Sequence, residues 1–253
     1  MTQRTIDMNA DAGESFGPWP MGSDADLFPY LTSVNLACGF HAGDPLTMRA
    51  SVKLAARHGL AIGAHPGFRD LVGFGRRDLA VTPDEIAADV LYQIGALDAF
   101  VTLEGLALHH VKPHGALYLR MTRDEEIARA VAGAVKAYAG DLPLMVLHGT
   151  VMQKVAAEVG VRAAVEAFPD RAYLPDGGLA PRSRPDAVIH DPVQVAERGV
   201  AMVLEGRVVA VDGTSVPVAP ETLCLHGDNP SAVANARALR QALEAAGVTV
   251  RAF

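Results

Sequence analysis

An incomplete, TIM-like β/α barrel of seven strands is the fold class that this sequence predicts. Short β-like runs alternate with longer helix-like segments, which is typical of a parallel sheet with right-handed crossovers. Several runs are apolar on both faces, as expected of strands that helices cover on both sides. Polar side chains follow nearly every run. A barrel is favoured because the carboxyl ends of its strands meet at one mouth, whereas an open sheet would spread these side chains along an edge.

Seven runs of the chain are predicted to be the strands of this barrel. They are residues 6–9, 33–37, 60–64, 109–112, 144–147, 163–168 and 222–225. Residues 207–218, with Asp212-Gly213 near the middle, are predicted to form an additional β-hairpin. No repeat or flexible linker interrupts the alternation, so residues 1–253 are predicted to form a single barrel domain.

Helix boundaries are marked by capping residues and by glycines. Asp44 and Asp191 each precede a proline, so both are expected to cap helices. Thr82 and Thr122 are each followed three residues later by a glutamate, a spacing that indicates capping boxes. The predicted helices cover residues 44–59, 82–105, 122–140, 150–160, 191–206 and 229–247.

Composition excludes several classes of protein. Half of the 253 residues are hydrophobic and a fifth are charged, which excludes a disordered chain. The formal charge of −7 argues against nucleic acid as the main partner. We find no signal peptide and no apolar run of about 18 residues, so no membrane span is expected. The two cysteines, Cys38 and Cys224, form no disulfide framework, and we expect a cytoplasmic protein.

Two acidic residues follow the first predicted strand. Asp11 and Glu14 lie in a glycine-containing loop, where Asp11 could be a general base or a metal ligand and Glu14 its partner. The alternative is turn chemistry, since short polar residues favour turns. We favour the catalytic interpretation because this loop belongs to the predicted mouth.

Histidines follow the second and third predicted strands. His41 shares a loop with Cys38, and a Cys–His nucleophilic pair is conceivable there. Cys38 directly follows a buried strand, however, so we expect an inert packed thiol and favour His41 alone. His65 lies between a strand and a proline turn, with small neighbours that leave room for a substrate.

The fourth predicted strand brings a lysine and a histidine toward the mouth. Lys112 and His114 have the same strand parity, so both could point into it, and the lysine could bind a carboxylate or phosphate. His110 and His114 are four residues apart, a zinc-binding spacing on a helix but too far apart on a strand.

Later segments add further candidates. Glu166 lies near the end of the sixth strand and His226 follows the seventh. The long loop after the sixth strand contains Arg171 and Arg182, and loops of this length often bind ligands. Arg76 and Arg77 either hold an anion or belong to a solvated loop. No Gly-Lys-Ser/Thr sequence occurs, so a nucleotide, if the reaction needs one, is expected to be bound elsewhere.

Six motifs resemble the LamB/YcsF family, the family of 5-oxoprolinase A subunits. They are residues 9–17 (NADAGESFG), 37–44 (ACGFHAGD), 63–66 (GAHP), 111–118 (VKPHGALY), 170–173 (DRAY) and 224–228 (CLHGD). The resemblance implies a barrel of the glycoside hydrolase/deacetylase type. It also implies ATP-dependent hydrolysis of 5-oxoproline, a cyclic amide, to L-glutamate with partner subunits B and C. Leu119 and His148 depart from the family pattern, and His148 is therefore left out of the site.

The resemblance and the residues together imply a set of site residues. The implied catalytic residues are Asp11, Glu14, His65 and His114. The implied substrate-binding residues are His41, Lys112, Glu166, Arg171, Arg182 and His226. A divalent metal on Asp11, His65 and His114 is possible, and ATP is expected to be used by the partner subunits. Two alternatives stay open, a metal-dependent carbohydrate deacetylase or glycosidase and a non-catalytic substrate-binding subunit, as does assembly into a homo-oligomer.

Overall fold

The computed structural model describes residues 4–226 and 231–253 and shows a closed parallel barrel. The strands are β1 (Thr5–Ala12), β2 (Ser33–Ala37), β3 (Ala61–His65), β4 (His110–Val111), β5 (Leu144–Leu147), β6 (Ala163–Ala167), β7 (Arg207–Val209), β8 (Ser215–Pro217), β9 (Thr222–His226) and β10 (Thr249–Val250). The barrel order is β1 to β6 and then β9, which pairs back with β1. The predicted seven-stranded barrel is confirmed, and its ring is closed.

Eight helices among the described residues surround the barrel. They are α1 (Asp24–Leu27), α2 (Pro45–Arg57), α3 (Pro83–Leu103), α4 (Gly115–Met121), α5 (Glu125–Tyr138), α6 (Val151–Val159), α7 (Pro192–Leu204) and α8 (Ala232–Ala245). The sequence did not predict α1 or α4. The predicted start of the last helix, at Asn229-Pro230, lies outside the described residues.

Most of the predicted caps form. Asp44 accepts hydrogen bonds from the first turn of α2, and Asp191 accepts one from the first turn of α7. Thr82 and Glu85 form a reciprocal capping box at α3. The predicted start at Thr122 was wrong, because the chain is still ending α4 there. The cap of α5 is Asp124, whose carboxylate accepts from the amide of Ile127 at 3.1 Å.

Outside the barrel, two short strands and a long segment complete the fold. β7 and β8 pair antiparallel with Val208 opposite Val216, where the sequence predicts a hairpin. The segment between β6 and α7 carries two isolated bridges, between Arg171 and Val188 and between Tyr173 and Leu179. β10 pairs in parallel with the first two residues of β1, outside the seven-stranded ring.

Helix α3 is long and strongly apolar. Among the described residues it is the one helix that could cross a membrane by length and composition alone. Ile86, Val90, Ile94 and Leu97 on this helix are fully buried, and the helix packs against α5 and β3. Helices in protein cores meet the same criteria.

The inside of the barrel is polar. Alternate residues of β1 face inward, so Asp7, Asn9 and Asp11 enter the barrel while Met8 and Ala10 between them belong to the apolar core. Asn35 and Thr222 from the two neighbouring strands are buried beside them. This polar interior leads up to the candidate site.

Candidate active site

A cavity of about 810 Å³ opens at the carboxyl ends of the strands. Eight of the ten residues that the sequence proposed for the site line it: Asp11, Glu14, His65, Lys112, His114, Arg171, Arg182 and His226. The other two, His41 and Glu166, are fully buried behind its wall. Leu119, which departs from the family pattern, also lines the cavity.

Asp11 ends β1 at the floor of the cavity, held on both of its carboxylate oxygens. Oδ1 accepts from Lys112 Nζ at 2.8 Å and from Asn35 Nδ2 at 2.9 Å. Oδ2 lies 3.4 Å from His65 Nε2. Burial alone would raise the pKa of Asp11, but His65 and Lys112 outweigh it and hold this pKa well below its ordinary value. Asp11 is therefore an ionised carboxylate with a fixed orientation.

Lys112 lies beside Asp11 and is itself buried. Its Nζ donates to Asp11 and to Cys224 Sγ at 2.8 Å and lies 3.2 Å from Glu166 Oε2. Burial would lower its pKa, but Asp11, Cys224 and Glu166 raise it well above its ordinary value. Burial raises the pKa of Glu166 despite the nearby lysine. Lys112 is therefore the shared partner of two buried carboxyl groups, Asp11 and Glu166.

Backbone carbonyls orient two of the three clustered histidines. His65 Nδ1 lies 2.6 Å from the Lys112 carbonyl, and His114 Nε2 lies 2.8 Å from the Phe74 carbonyl. Carbonyls only accept, so these two nitrogens are the donors. The remaining nitrogens, His65 Nε2 and His114 Nδ1, face each other at 2.9 Å. If both rings are neutral, two lone pairs point at one another, and a proton or a metal ion between them would remove that repulsion.

His41 completes this cluster. Its ring stacks on His114 with centroids 3.8 Å apart, and neither of its nitrogens makes a hydrogen bond among the described residues. Two glycines make room for the stack. A Cβ on Gly67 would lie 2.8 Å from His41 Nδ1, and one on Gly75 would lie 2.7 Å from His114 Cδ2. Burial lowers the pKa of His41 and of His114 well below the ordinary value, which favours neutral rings.

The donor set fits a divalent cation. One ligand atom from each of Glu14, His41, His65 and His114 lies within 4.8 Å of the others. Neutral imidazoles with a carboxylate are common ligands of zinc and related ions. The sequence grouped His65 and His114 with Asp11. The structure groups them with Glu14 and His41, while Asp11 Oδ1 is bonded to Lys112 and Asn35.

One side of the cavity is basic. Arg171 is buried and donates to the carbonyls of Ala180 at 2.6 Å and Ala187 at 3.1 Å. Burial, with a contribution from Arg182, lowers its pKa to about 10, so it stays charged at neutral pH. Arg182 and Arg76 line the same cavity. The mouth therefore suits an anionic ligand.

Two other residues considered from the sequence do not belong to the cavity. Arg77 is paired with Asp70, with Nε 2.9 Å from Oδ1. The adjacent Arg76 lines the cavity, whereas Arg77 does not. Cys38 is buried, and burial raises the pKa of its thiol to about 12. The interpretation of Cys38 as a packed thiol is confirmed.

Sequence reasoning missed two residues that orient the site. Asp170 lies 3.0 Å from His226 Nδ1 and also accepts from the His226 amide, which fixes the imidazole. Its only signal was its place before Arg171 in a motif. Asn35, which donates to Asp11, lies in a strand interior that carried no functional pattern.

Comparison with known proteins shows the family of this chain. Residues 6–253 match the LamB/YcsF family. A 5-oxoprolinase A subunit from Thermus thermophilus is 61% identical, over 98% of this chain and 99% of its own length. The crystal structure of a lactam utilization protein from another strain of that species matches with a TM-score of 0.94 and 59% identity, covering 98% of this chain and 100% of that one. A structure from Enterococcus faecalis shares the fold alone, with a TM-score of 0.54 and 13% identity over 99% of this chain and 98% of that one. The chain belongs to the LamB/YcsF family.

Proposed function

We propose that this chain is the A subunit of a 5-oxoprolinase and opens the lactam ring of 5-oxoproline to give L-glutamate. The observation that carries the proposal is Asp11, an ionised carboxylate held by Lys112 and Asn35 on the floor of a cavity with a basic side. The names of the similar proteins support the same substrate. Because those relatives are named as one subunit of an enzyme, we expect this chain to have partners. We propose that these partners are subunits B and C.

ATP makes this hydrolysis favourable by activating a stable amide. In the proposed reaction, ATP phosphorylates the lactam oxygen and leaves as ADP. Water adds to the ring carbon, the C–N bond breaks, and the nitrogen takes a proton to become the α-amino group. A second water cleaves the resulting acyl phosphate to the γ-carboxylate and phosphate. This chain has no Walker A sequence, so we assign the phosphorylation to the partner subunits.

The residues of the cavity fit distinct roles in this reaction. Asp11 accepts the proton of the attacking water. Lys112 stabilises the charge that develops on the oxygen, because it is a buried cation at the cavity floor. Arg171 and Arg182 bind the substrate carboxylate, and the His226 ring, fixed by Asp170, assists proton transfer.

A divalent metal ion would be held by Glu14, His41, His65 and His114. When bound, it would polarise an oxygen and lower the pKa of water. His65 and His114 otherwise move protons between their facing nitrogens, which are 2.9 Å apart.

Reconstitution tests the proposal. Partner subunits, 5-oxoproline and ATP are incubated with and without this chain, and glutamate is measured. Glutamate is expected only when the chain is present. Asp11→Asn should lower turnover by about 100- to 10,000-fold, the usual contribution of a general base. The exposed Asp141→Asn is the matched control, with full activity expected. Glutamate formation that does not depend on the chain, or full activity of Asp11→Asn, would contradict the assignment.

The histidine cluster favours a second candidate, a metal-dependent hydrolase of acylated sugars. Metal analysis of dialysed protein and calorimetry with 5-oxoproline and with acetylated sugars separate the two. We expect 5-oxoproline to bind and the sugars not to bind. Sugar binding with metal-dependent release of acetate would favour the second candidate. A third outcome, binding of 5-oxoproline with turnover unaffected by Asp11→Asn and His65→Gln, would indicate a non-catalytic binding subunit.

A further inference from the structure

A row of side chains crosses the inside of the barrel below the cavity. Asp11 on β1 is in register with Asn35 on β2, Asn35 with Gly63 on β3, and Gly63 with His110 on β4. Residues in register share a face of the sheet, so all four positions face the inside of the barrel. Asn35 and His110 are fully buried and do not line the cavity.

Hydrogen bonds in this row can point in only one direction. Asp11 Oδ1 accepts from the Lys112 ammonium group, which can only donate, so the Asn35 atom that lies 2.9 Å from the same oxygen must be the amide nitrogen. The same nitrogen donates its second hydrogen to Asn9 Oδ1 at 2.7 Å. Asn35 Oδ1 therefore faces His110 Nε2, 2.7 Å away, and His110 must donate. His110 Nδ1 lies 3.1 Å from His109 Nδ1, and the other ring nitrogen of His109 faces the Phe253 carbonyl at 2.9 Å.

Gly63 is what allows His110 to reach Asn35. A Cβ at position 63 would lie 2.0 Å from His110 Nε2 and 2.3 Å from its Cδ2. Gly63 has no positive φ, so conformational freedom does not explain the glycine. The imidazole occupies the volume of the missing side chain and spans the gap between β4 and β2.

We propose that His110 and Asn35 are positioning residues that fix the orientation of the catalytic Asp11 carboxylate. The donor hydrogen of His110 holds Asn35 Oδ1 away from Asp11, so that the Asn35 amide always presents N–H to the carboxylate. Without that donor the amide can rotate and turn its oxygen toward Asp11, which would repel the carboxylate. This inference rests on the proposed function, because it assigns Asp11 as the base.

The tautomer of His110 gives a test that needs no activity. In the chain alone, ¹⁵N spectra of labelled histidine should show His110 neutral, with hydrogen on Nε2 and a bare Nδ1. The signal is assigned from its loss in His110→Gln. Burial, followed by the nearby His109, lowers the pKa of His110, in agreement with a neutral ring. Hydrogen on Nδ1 with a bare Nε2 would overturn the proposal.

Kinetics of the complex with partner subunits, 5-oxoproline and ATP give the second test. His110→Phe keeps a ring but removes the donor, so kcat should fall about 10- to 100-fold, the usual range for a residue that orients a catalytic group, with KM nearly unchanged. His110→Gln restores an N–H donor and should recover most of kcat. Equal kcat of the Phe and wild-type proteins, or an effect on KM alone, would overturn the proposal.

Gly63→Ala tests the same contact without changing either partner. Its Cβ should displace the His110 ring, so kcat should fall as in His110→Phe. Gly95→Ala is the matched control, because no atom lies within 4 Å of a Cβ there, and full activity is expected. If Gly63→Ala fails to fold, His110→Phe and His110→Gln still test the positioning role of His110. Absence of glutamate with the wild-type complex would count against the proposed function instead, and the tautomer would still settle the direction of the hydrogen bonds.

Discussion

Two aspartates on β1, Asp7 and Asp11, are buried inside the same barrel, yet their environments shift the pKa of each carboxyl group in opposite directions. Asp11 lies next to Lys112 and His65, and its pKa is held well below the ordinary value. Asp7 accepts hydrogen bonds from the hydroxyls of Thr32 at 2.6 Å and Ser33 at 2.7 Å, and from Thr222. Burial nevertheless raises its pKa.

The comparison shows what each kind of partner can do. Neutral hydroxyls satisfy the oxygens of a carboxylate but do not outweigh the cost of taking its charge out of water. A buried cation does outweigh this cost. The end of the barrel with the cation is the one that opens into the cavity, so an ionised carboxylate is accessible there.

Removal of the Lys112 cation should abolish the difference between Asp7 and Asp11. Of the changes considered, this one has the largest expected effect. Lys112→Met leaves Asp11 buried without its main partner, so the free energy of unfolding should fall by about 3–5 kcal/mol, and turnover should be lost. Denaturant unfolding measures the first and the glutamate assay the second. Lys53→Met is the control, since its ion pair with Glu104 is exposed and long at 3.9 Å, and it should cost less than about 1 kcal/mol. Similar costs for both variants would show that Asp11 does not depend on Lys112.

Removal of the Asp7 carboxyl group, at the other end of the barrel, should have a smaller effect on the free energy of unfolding, and this effect should depend on pH. The pKa of Asp7 is raised in the fold, so its contribution to stability is present at low pH and is lost as pH rises through that raised pKa. In Asp7→Asn this side chain no longer ionises, so the variant does not lose stability in this way as pH rises. The stability of the variant relative to wild type should therefore increase with pH.

Denaturant unfolding at a series of pH values checks the Asp7 prediction. Asp141→Asn, an exposed change of the same type, should leave the relative stability flat over the same series. A decrease in the relative stability of Asp7→Asn with rising pH would mean that the hydroxyl donors do stabilise the ionised carboxylate.

The sequence predicted the barrel well because its signals are local. The strands are apolar runs and the caps are short motifs, as Asp44 and Asp191 show. It missed α4 because this helix begins after His114 with no side-chain cap. It placed the next cap at Thr122 because Thr122 and Glu125 have the spacing of a capping box, whereas the residue that caps the helix is Asp124.

The site could be predicted only in part, because strand ends are visible in a sequence but their contacts are not. Lys112 and His114 were found from strand parity, and both line the cavity. The partnership of Asn35 with His110 depends on register across three strands and on the volume left by Gly63. The grouping of Glu14 with His41 depends on two loops meeting in space. No pattern along the chain encodes such distances.

The closure of β9 on β1 has a consequence for how the protein folds. Asp7 and Thr222 are 215 residues apart in the sequence and are hydrogen-bonded, and Asp11 is in register with His226. Contacts between such distant segments carry a large loop-closure cost and slow folding. During synthesis nearly the whole chain must therefore be made before the Asp11 carboxylate on β1 gains all of its neighbours. The candidate site is completed late, when β9 docks against β1.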